Sequence, residues 1–243
     1  MANDFSGTLT WVGHSTFLLI TPGGRRILFD PFIEDNPTAG AQFRGDGVGE
    51  VDLILVSHGH GDHLGDVVAQ QARTGAQVAG MVELLGWFGT QGVPADKRIA
   101  FNKGGTIEPF EGVRVTMVHA QHSSSAPDGT YVGEAAGFVV ELEDGYRIYF
   151  AGDTNVFGDM RIIGELYMPD LAILPIGGHY TMDPREAAMA AELLGVPDVV
   201  GMHWGTFPPL TGTPQQLAAL LSEVHVTVHE LEPGDSLRGG AGA

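Results

Sequence analysis

Twice along this chain a short apolar run ends in an aspartate, and a second apolar run follows it. "ILFDPF" carries Asp30 and leads to "VDLILVSH"; "IYFAGDT" carries Asp153 and leads to "PDLAILPI". A helical pattern comes next in each case, and then "QVAGM" in the first half and "VVGMH" in the second. A chain built this way is expected to fold as two similar β-rich halves, with two packed sheets and helices outside them. No proline-rich or low-complexity linker parts the halves, so one domain is expected over residues 1–243, with a flexible tail from about 236 to 243.

Other short runs, among them "TLTWVG", "STFLLIT", "VRVTMVHA" and "AGFVVELE", read as strands because they are β-branched or aromatic and bounded by turn residues. Some are continuously apolar, as strands covered on both faces would be. Helices are fewer. "DPREAAMAAELLG" has Asp183 at the N-cap, Pro184 at the first helical position and Gly195 as the stop. "TPQQLAALLSEV" repeats the device with Thr213 and Pro214, and "DHLGDVVAQQARTG" shows helical apolar spacing. Met81, Trp87 and Phe88 read as core, and His225 and His229 as strand residues.

The most concentrated chemistry is "SHGHGDHLGD", residues 57–66, three histidines and two aspartates after an apolar strand. His58 and His60 can point to one side of an extended loop. Asp62 and His63 sit where a helix begins and can face a second position, so one motif can serve two metals. Three further strand ends offer metal-capable groups: His119 and His122 in "HAQHSS", Asp153 in "AGDT", and His203 in "GMHWGT". The sequence has no cysteine, so a metal must be held by His, Asp or Glu, a donor set that suits zinc, manganese, iron or nickel. A formal net charge of −18 disfavours nucleic acid as a partner. No apolar run approaches the roughly 20 residues that span a bilayer. The N-terminal stretch lacks a signal-peptide pattern, so no membrane and a cytoplasmic location are expected.

The pieces "GHSTF", "DPF", "SHGHGDHLGD", "HAQHSS", "AGDTNVFGDM", "LPIGGHYTM" and "MHWGTFP" resemble the metallo-β-lactamase superfamily. Within it they resemble the branch of metal-dependent hydrolases related to L-ascorbate-6-phosphate lactonase. The likeness runs from about residue 9 to residue 232. It implies an α/β (α+β) fold, a four-layer αββα sandwich with two pseudo-symmetric halves. It also implies two divalent metal ions, zinc first, with manganese, iron or nickel as alternatives. By the same resemblance His58, His60 and His122 hold one metal, Asp62, His63 and His203 the other, and Asp153 bridges them. His122 is preferred to His119 because "AxHSS" matches the family pattern there.

The activity so implied is cleavage of a small ester, lactone or phosphoester by a hydroxide shared between the two metals. Asp62 and Asp153 could also orient that nucleophile. His14 and His179, beside glycines in family motifs, are candidates to orient substrate or donate a proton, and Asp30 to hold a ligand histidine. The alternatives are a redox di-metal protein on the same fold and a phosphodiesterase or nuclease. His60 argues for hydrolysis, because flavodiiron proteins of this fold commonly carry Glu there. A phosphoryl substrate wants an Arg or Lys near the metals, and Arg44 is the candidate, though a solvated arginine fits its loop as well. The partner is a small molecule, and a homo-oligomer is left open.

Overall fold

The computed structural model describes residues 5–239. Its first sheet holds β1 (Thr8–Gly13), β2 (Thr16–Ile20), β3 (Arg26–Phe29), β4 (Leu53–Val56), β5 (Gln77–Met81) and β6 (Arg98–Phe101) in that spatial order. The second holds β7 (Thr106–Phe110), β8 (Val113–His119), β9 (Ala136–Glu141), β10 (Arg147–Phe150), β11 (Leu171–Pro175), β12 (Asp198–Met202) and β13 (Thr227–His229), likewise in chain order across the sheet. In each sheet an antiparallel part gives way to a parallel part. β1 to β3 and β7 to β10 are antiparallel. β3 to β6 and β10 to β13 are parallel. The repeat read in the sequence is this repeated switch: β3–Asp30–β4 in one half corresponds to β10–Asp153–β11 in the other.

The sheets pack face to face through apolar side chains. Phe29 and Phe150, one from each sheet, lie 4.9 Å apart between ring centroids, and Phe17 lies 6.4 Å from Phe150. All three are fully buried. The outer faces carry helices: α2 (Val67–Thr74) and α3 (Val82–Thr90) on the first sheet, α5 (Pro184–Leu194) and α6 (Pro214–Leu220) on the second, with α4 (Met160–Tyr167) against α5. The α/β, αββα sandwich is therefore the fold. Among the described residues no helix is long and apolar enough to cross a membrane.

Both expected capping devices form. Asp183 accepts from the Arg185 and Glu186 amides, Thr213 accepts from Gln216, and each closes a capping box.

Three expectations need correction. The helix expected over "DHLGDVVAQQARTG" breaks in two, α1 (Gly61–Leu64) and α2. Its cause is Asp66, whose carboxylate accepts from the Ile33 and Glu34 amides at 2.5 and 3.1 Å and so anchors the loop after β3. The tail does not begin at 236: Ser236–Arg238 form β14, which pairs antiparallel with Thr8–Thr10 and completes the first sheet. Residues 240–243 lie outside the described residues. His225 sits exposed in a turn rather than in a strand, while His229 ends β13 and reaches Asp198 Oδ1 at 2.7 Å.

Candidate metal centre

Parallel sheets present loops at the C-terminal ends of their strands, where a rigid scaffold aims side chains at one place. Here four strand ends meet. β4, buried along its length, delivers Ser57, His58, Gly59 and His60, and Asp62 and His63 follow in the first turn of α1. β8 ends at His119 and the chain turns through Ala120 and Gln121 to His122. β10 ends at Phe150. Gly152, at φ +61°, then turns the chain into Asp153, and a Cβ there would lie 2.7 Å from the Ala136 carbonyl. That position has room and conformation for glycine alone. β12 leads to His203, whose amide donates to the His14 carbonyl at 3.0 Å.

The structure brings all seven sequence-derived ligand candidates together. His58, His60 and His122 form one group, and Asp62, His63 and His203, with His14, form another; donor atoms within each group lie within 4.8 Å of one another. Asp153 stands between the groups. Its Oδ2 is 3.1 Å from His203 Nε2, 3.6 Å from His122 Nε2 and 4.0 Å from His58 Nε2. Its Oδ1 is 3.3 Å from His63 Nε2.

Several features fit a metal. His63 Nε2 and Asp153 Oδ1 are buried and face each other at 3.3 Å without a hydrogen bond of good geometry to any group. Buried polar atoms are rarely left so, and an ion between them would complete both. His58 Nε2 and His60 Nδ1 are 3.1 Å apart. Two nitrogens bound tetrahedrally to one zinc at about 2.0–2.1 Å would be separated by about 3.3 Å, so the pair is already near ligand spacing. Among the described residues the ion-pair partners of Asp62, Asp153 and Asp30 are histidines alone.

That charge pattern shifts the protonation of the cluster. Burial, then the charge on His63, pushes His58 well below its ordinary pKa. Burial acts on His63 in the same sense, but Asp153, Asp30 and Asp62 outweigh it and hold His63 well above its ordinary value. Burial would raise Asp153, and His203 and His63 together hold it well below the usual carboxylate range. The site thus favours positive charge beside Asp153, which a bound cation would supply in competition with a proton on His63.

Behind the candidate donor atoms a further set of side chains fixes their orientation. His63 Nδ1 is 2.7 Å from Asp30 Oδ2, which directs Nε2 into the site. Ser57 donates to Asp30 through both its amide (2.7 Å) and its hydroxyl, and its Oγ lies 2.9 Å from His58 Nδ1. His14 is fully buried. Its Nε2 is 3.0 Å from Asp62 Oδ2 and its Nδ1 3.0 Å from Thr206 Oγ1. Burial pushes its pKa down to about 4 despite the bond to Asp62.

His119, His179 and Arg44 fall outside. His119 is exposed at the end of β8, its Nδ1 3.0 Å from Lys103 Nζ. His179 is exposed and lines a neighbouring cleft with Asp183 and Arg185. Arg44 is held by backbone carbonyls, donating to Asn36 O at 3.0 Å. The histidine pocket itself, about 550 Å³, is lined by five of the seven candidates together with Ser123, Tyr180 and Phe207. Ser57, Thr206, Tyr180 and Phe207 were not singled out from the sequence. Ser57 at least was open to discovery, as the residue joining a buried strand to the first histidine.

Residues 25–204 match the Beta-lactamase superfamily domain. The chain belongs to the beta-lactamase superfamily. Members described as UPF0173 metal-dependent hydrolases resemble it along nearly their whole length. One from Rubrobacter xylanophilus is 48% identical over 235 residues, covering 94% of this chain and 95% of its own. Another from Herpetosiphon aurantiacus is 44% identical over 241 residues, covering 97% and 98%. Among solved structures, Igni18, a metallo hydrolase from Ignicoccus hospitalis, superposes with a TM-score of 0.85 at 34% identity, covering 95% of this chain and 97% of its own. This superfamily member is accordingly a metal-dependent hydrolase with a His/Asp cluster able to bind metal.

Proposed function

We propose that the chain is a single dinuclear metal-dependent hydrolase domain acting on a small ester, lactone or phosphoester. In this reading His58, His60 and His122 hold one divalent ion, Asp62, His63 and His203 hold the other, and Asp153 contacts both. The observation that carries it is the position of Asp153, with histidines of both groups within 4.0 Å of its carboxylate. Two ions so held would polarise a substrate oxygen and bring the pKa of a water toward neutrality, which is the chemistry hydrolysis needs.

The protein's own groups do the positioning. Asp30 and Ser57 hold His63 and His58 from behind. His14, between Thr206 and Asp62, fixes the Asp62 carboxylate and through its carbonyl the backbone of His203. His14 is therefore a positioning residue. His179 has no side-chain place in the pocket, and its contribution is to carry the adjacent Tyr180 into the lining. The donor set suits zinc and equally manganese, iron or nickel.

The test is metal removal followed by reconstitution with zinc or manganese, assayed on panels of lactones, carboxylic esters and phosphodiesters. Chelated protein is expected to be inactive and the reconstituted protein to hydrolyse one of these classes. Full hydrolysis by the chelated protein, or oxygen consumption in place of hydrolysis, would overturn the proposal.

A further inference from the structure

Among the described residues, the pocket wall facing the ligand cluster is aromatic and carries no cationic side chain. Beyond the ligand candidates its lining is Ser123, Tyr180 and Phe207, with neither Lys nor Arg. The nearest arginine along the Tyr180 segment, Arg185, belongs to the neighbouring cleft and is bound to Asp183 at 2.8 and 3.1 Å.

Tyr180 is 58% exposed, yet its backbone is firmly held. Gly178 and His179 are both left-handed, at φ +75° and +64°. Histidine adopts that conformation at a cost, and such strain persists where the surroundings impose it, often at functional sites. The surroundings here are the site itself. The Gly178 amide donates to Met182 O at 2.9 Å, and the Met182 amide to the carbonyl of Thr154, next to Asp153. Gly177 packs so closely on the carbonyl of His203 that a Cβ would lie 2.0 Å from it. A turn tied to the segments of both Asp153 and His203 thus presents a solvated aromatic ring to the pocket. Phe207 is anchored separately: its ring lies 5.5 Å from His14 and 6.5 Å from Phe32, and its neighbour Thr206 holds His14.

We infer that Tyr180 and Phe207 form the substrate-binding wall of the pocket and select an uncharged aryl ester or lactone over a phosphomonoester. The inference rests on the hydrolase reading above. A flat apolar group placed against two anchored aromatic rings gains burial and ring–ring contact. A phosphomonoester dianion would find on this wall only hydroxyls where such groups usually meet Arg or Lys.

The metal-loaded protein should be assayed on dihydrocoumarin, γ-butyrolactone and phenyl phosphate. The lactam analogue of dihydrocoumarin, which the site should bind without fast turnover, gives a calorimetric Kd. Dihydrocoumarin is expected to be the better substrate by kcat/KM. Tyr180→Ala and Phe207→Ala should each raise its KM and the lactam Kd about five- to tenfold, as loss of an aromatic contact does, with kcat and metal content little changed. The KM for γ-butyrolactone, which has no aromatic ring to stack, should rise less than that for dihydrocoumarin, and Tyr180→Phe, which keeps the ring, should recover most of the binding lost in Tyr180→Ala. A higher kcat/KM for phenyl phosphate, or variants that leave both KM and Kd unchanged, would overturn the inference while leaving the hydrolase reading intact. Lactam binding lost in both alanine variants, from a protein that hydrolyses nothing, would overturn the hydrolase reading and with it the assignment of a substrate.

Discussion

Asp153→Asn is expected to leave the chain folded but to remove one metal ion and cut turnover by about 100-fold or more, beyond the usual cost of an outer-shell change. The substitution keeps the size of a side chain that is only 2% exposed, so packing is preserved. What it removes is charge. Asp153 faces His58, His63, His122 and His203 within 4.0 Å, while Asp30, the other carboxylate near both groups, is engaged from behind by Ser57 and His63 Nδ1. An amide offers one weak oxygen donor and no charge to balance two cations. Elemental analysis of metal per chain, alongside kcat/KM, reads the effect. Two metals per chain with wild-type turnover would reject Asp153 as the shared ligand.

The next largest effect is expected from His122, and the control is three residues away. His122 has its ring 5.2 Å from that of His58 and 5.1 Å from that of His60, and its Nε2 faces Asp153. His119 faces outward, between Lys103 and Phe157. His122→Ala removes a proposed ligand and should lower metal affinity by more than the roughly 10–100-fold typical of outer-shell changes, with activity falling in parallel. His119→Ala should leave metal affinity and turnover close to wild type. Titration of each variant with zinc against a competing chelator measures the difference. Collapse of binding in His119→Ala with retention in His122→Ala would invert the assignment.

The clustering of the candidate residues was legible because each ends, or closely follows, a run apolar enough to be a buried strand. His58 after "DLILV", Asp153 after "RIYFAG" and His203 after "DVVGM" share that context, which points to a site only in combination with the crowded histidines of residues 58–63 and the family resemblance. The repeat made the two-sheet architecture legible in the same way. Residues that depend on contacts far apart in the chain left no such mark. Asp66 looked like one more helical residue, but its bonds to Ile33 and Glu34 break the helix. "SLR" near the C-terminus is too short to read as a strand and becomes one only because β1 offers a free edge. α3 and α4 were missed because glycines interrupt "VELLGWFGT" and "MRIIGELY". His179 and Tyr180 are adjacent, and only the left-handed turn decides which of the two lines the histidine pocket.

Two metal ions sharing one site beside Asp153 would be visible in a diffraction experiment. Anomalous diffraction from crystals of zinc- or manganese-loaded protein tests for them directly. Two peaks roughly 3.5–4 Å apart are expected, one among His58, His60 and His122 and one among Asp62, His63 and His203, both next to the Asp153 carboxylate. A single peak among Asp30, His58 and His63, the other group of donors that lie within reach of one ion, would contradict the two-metal site.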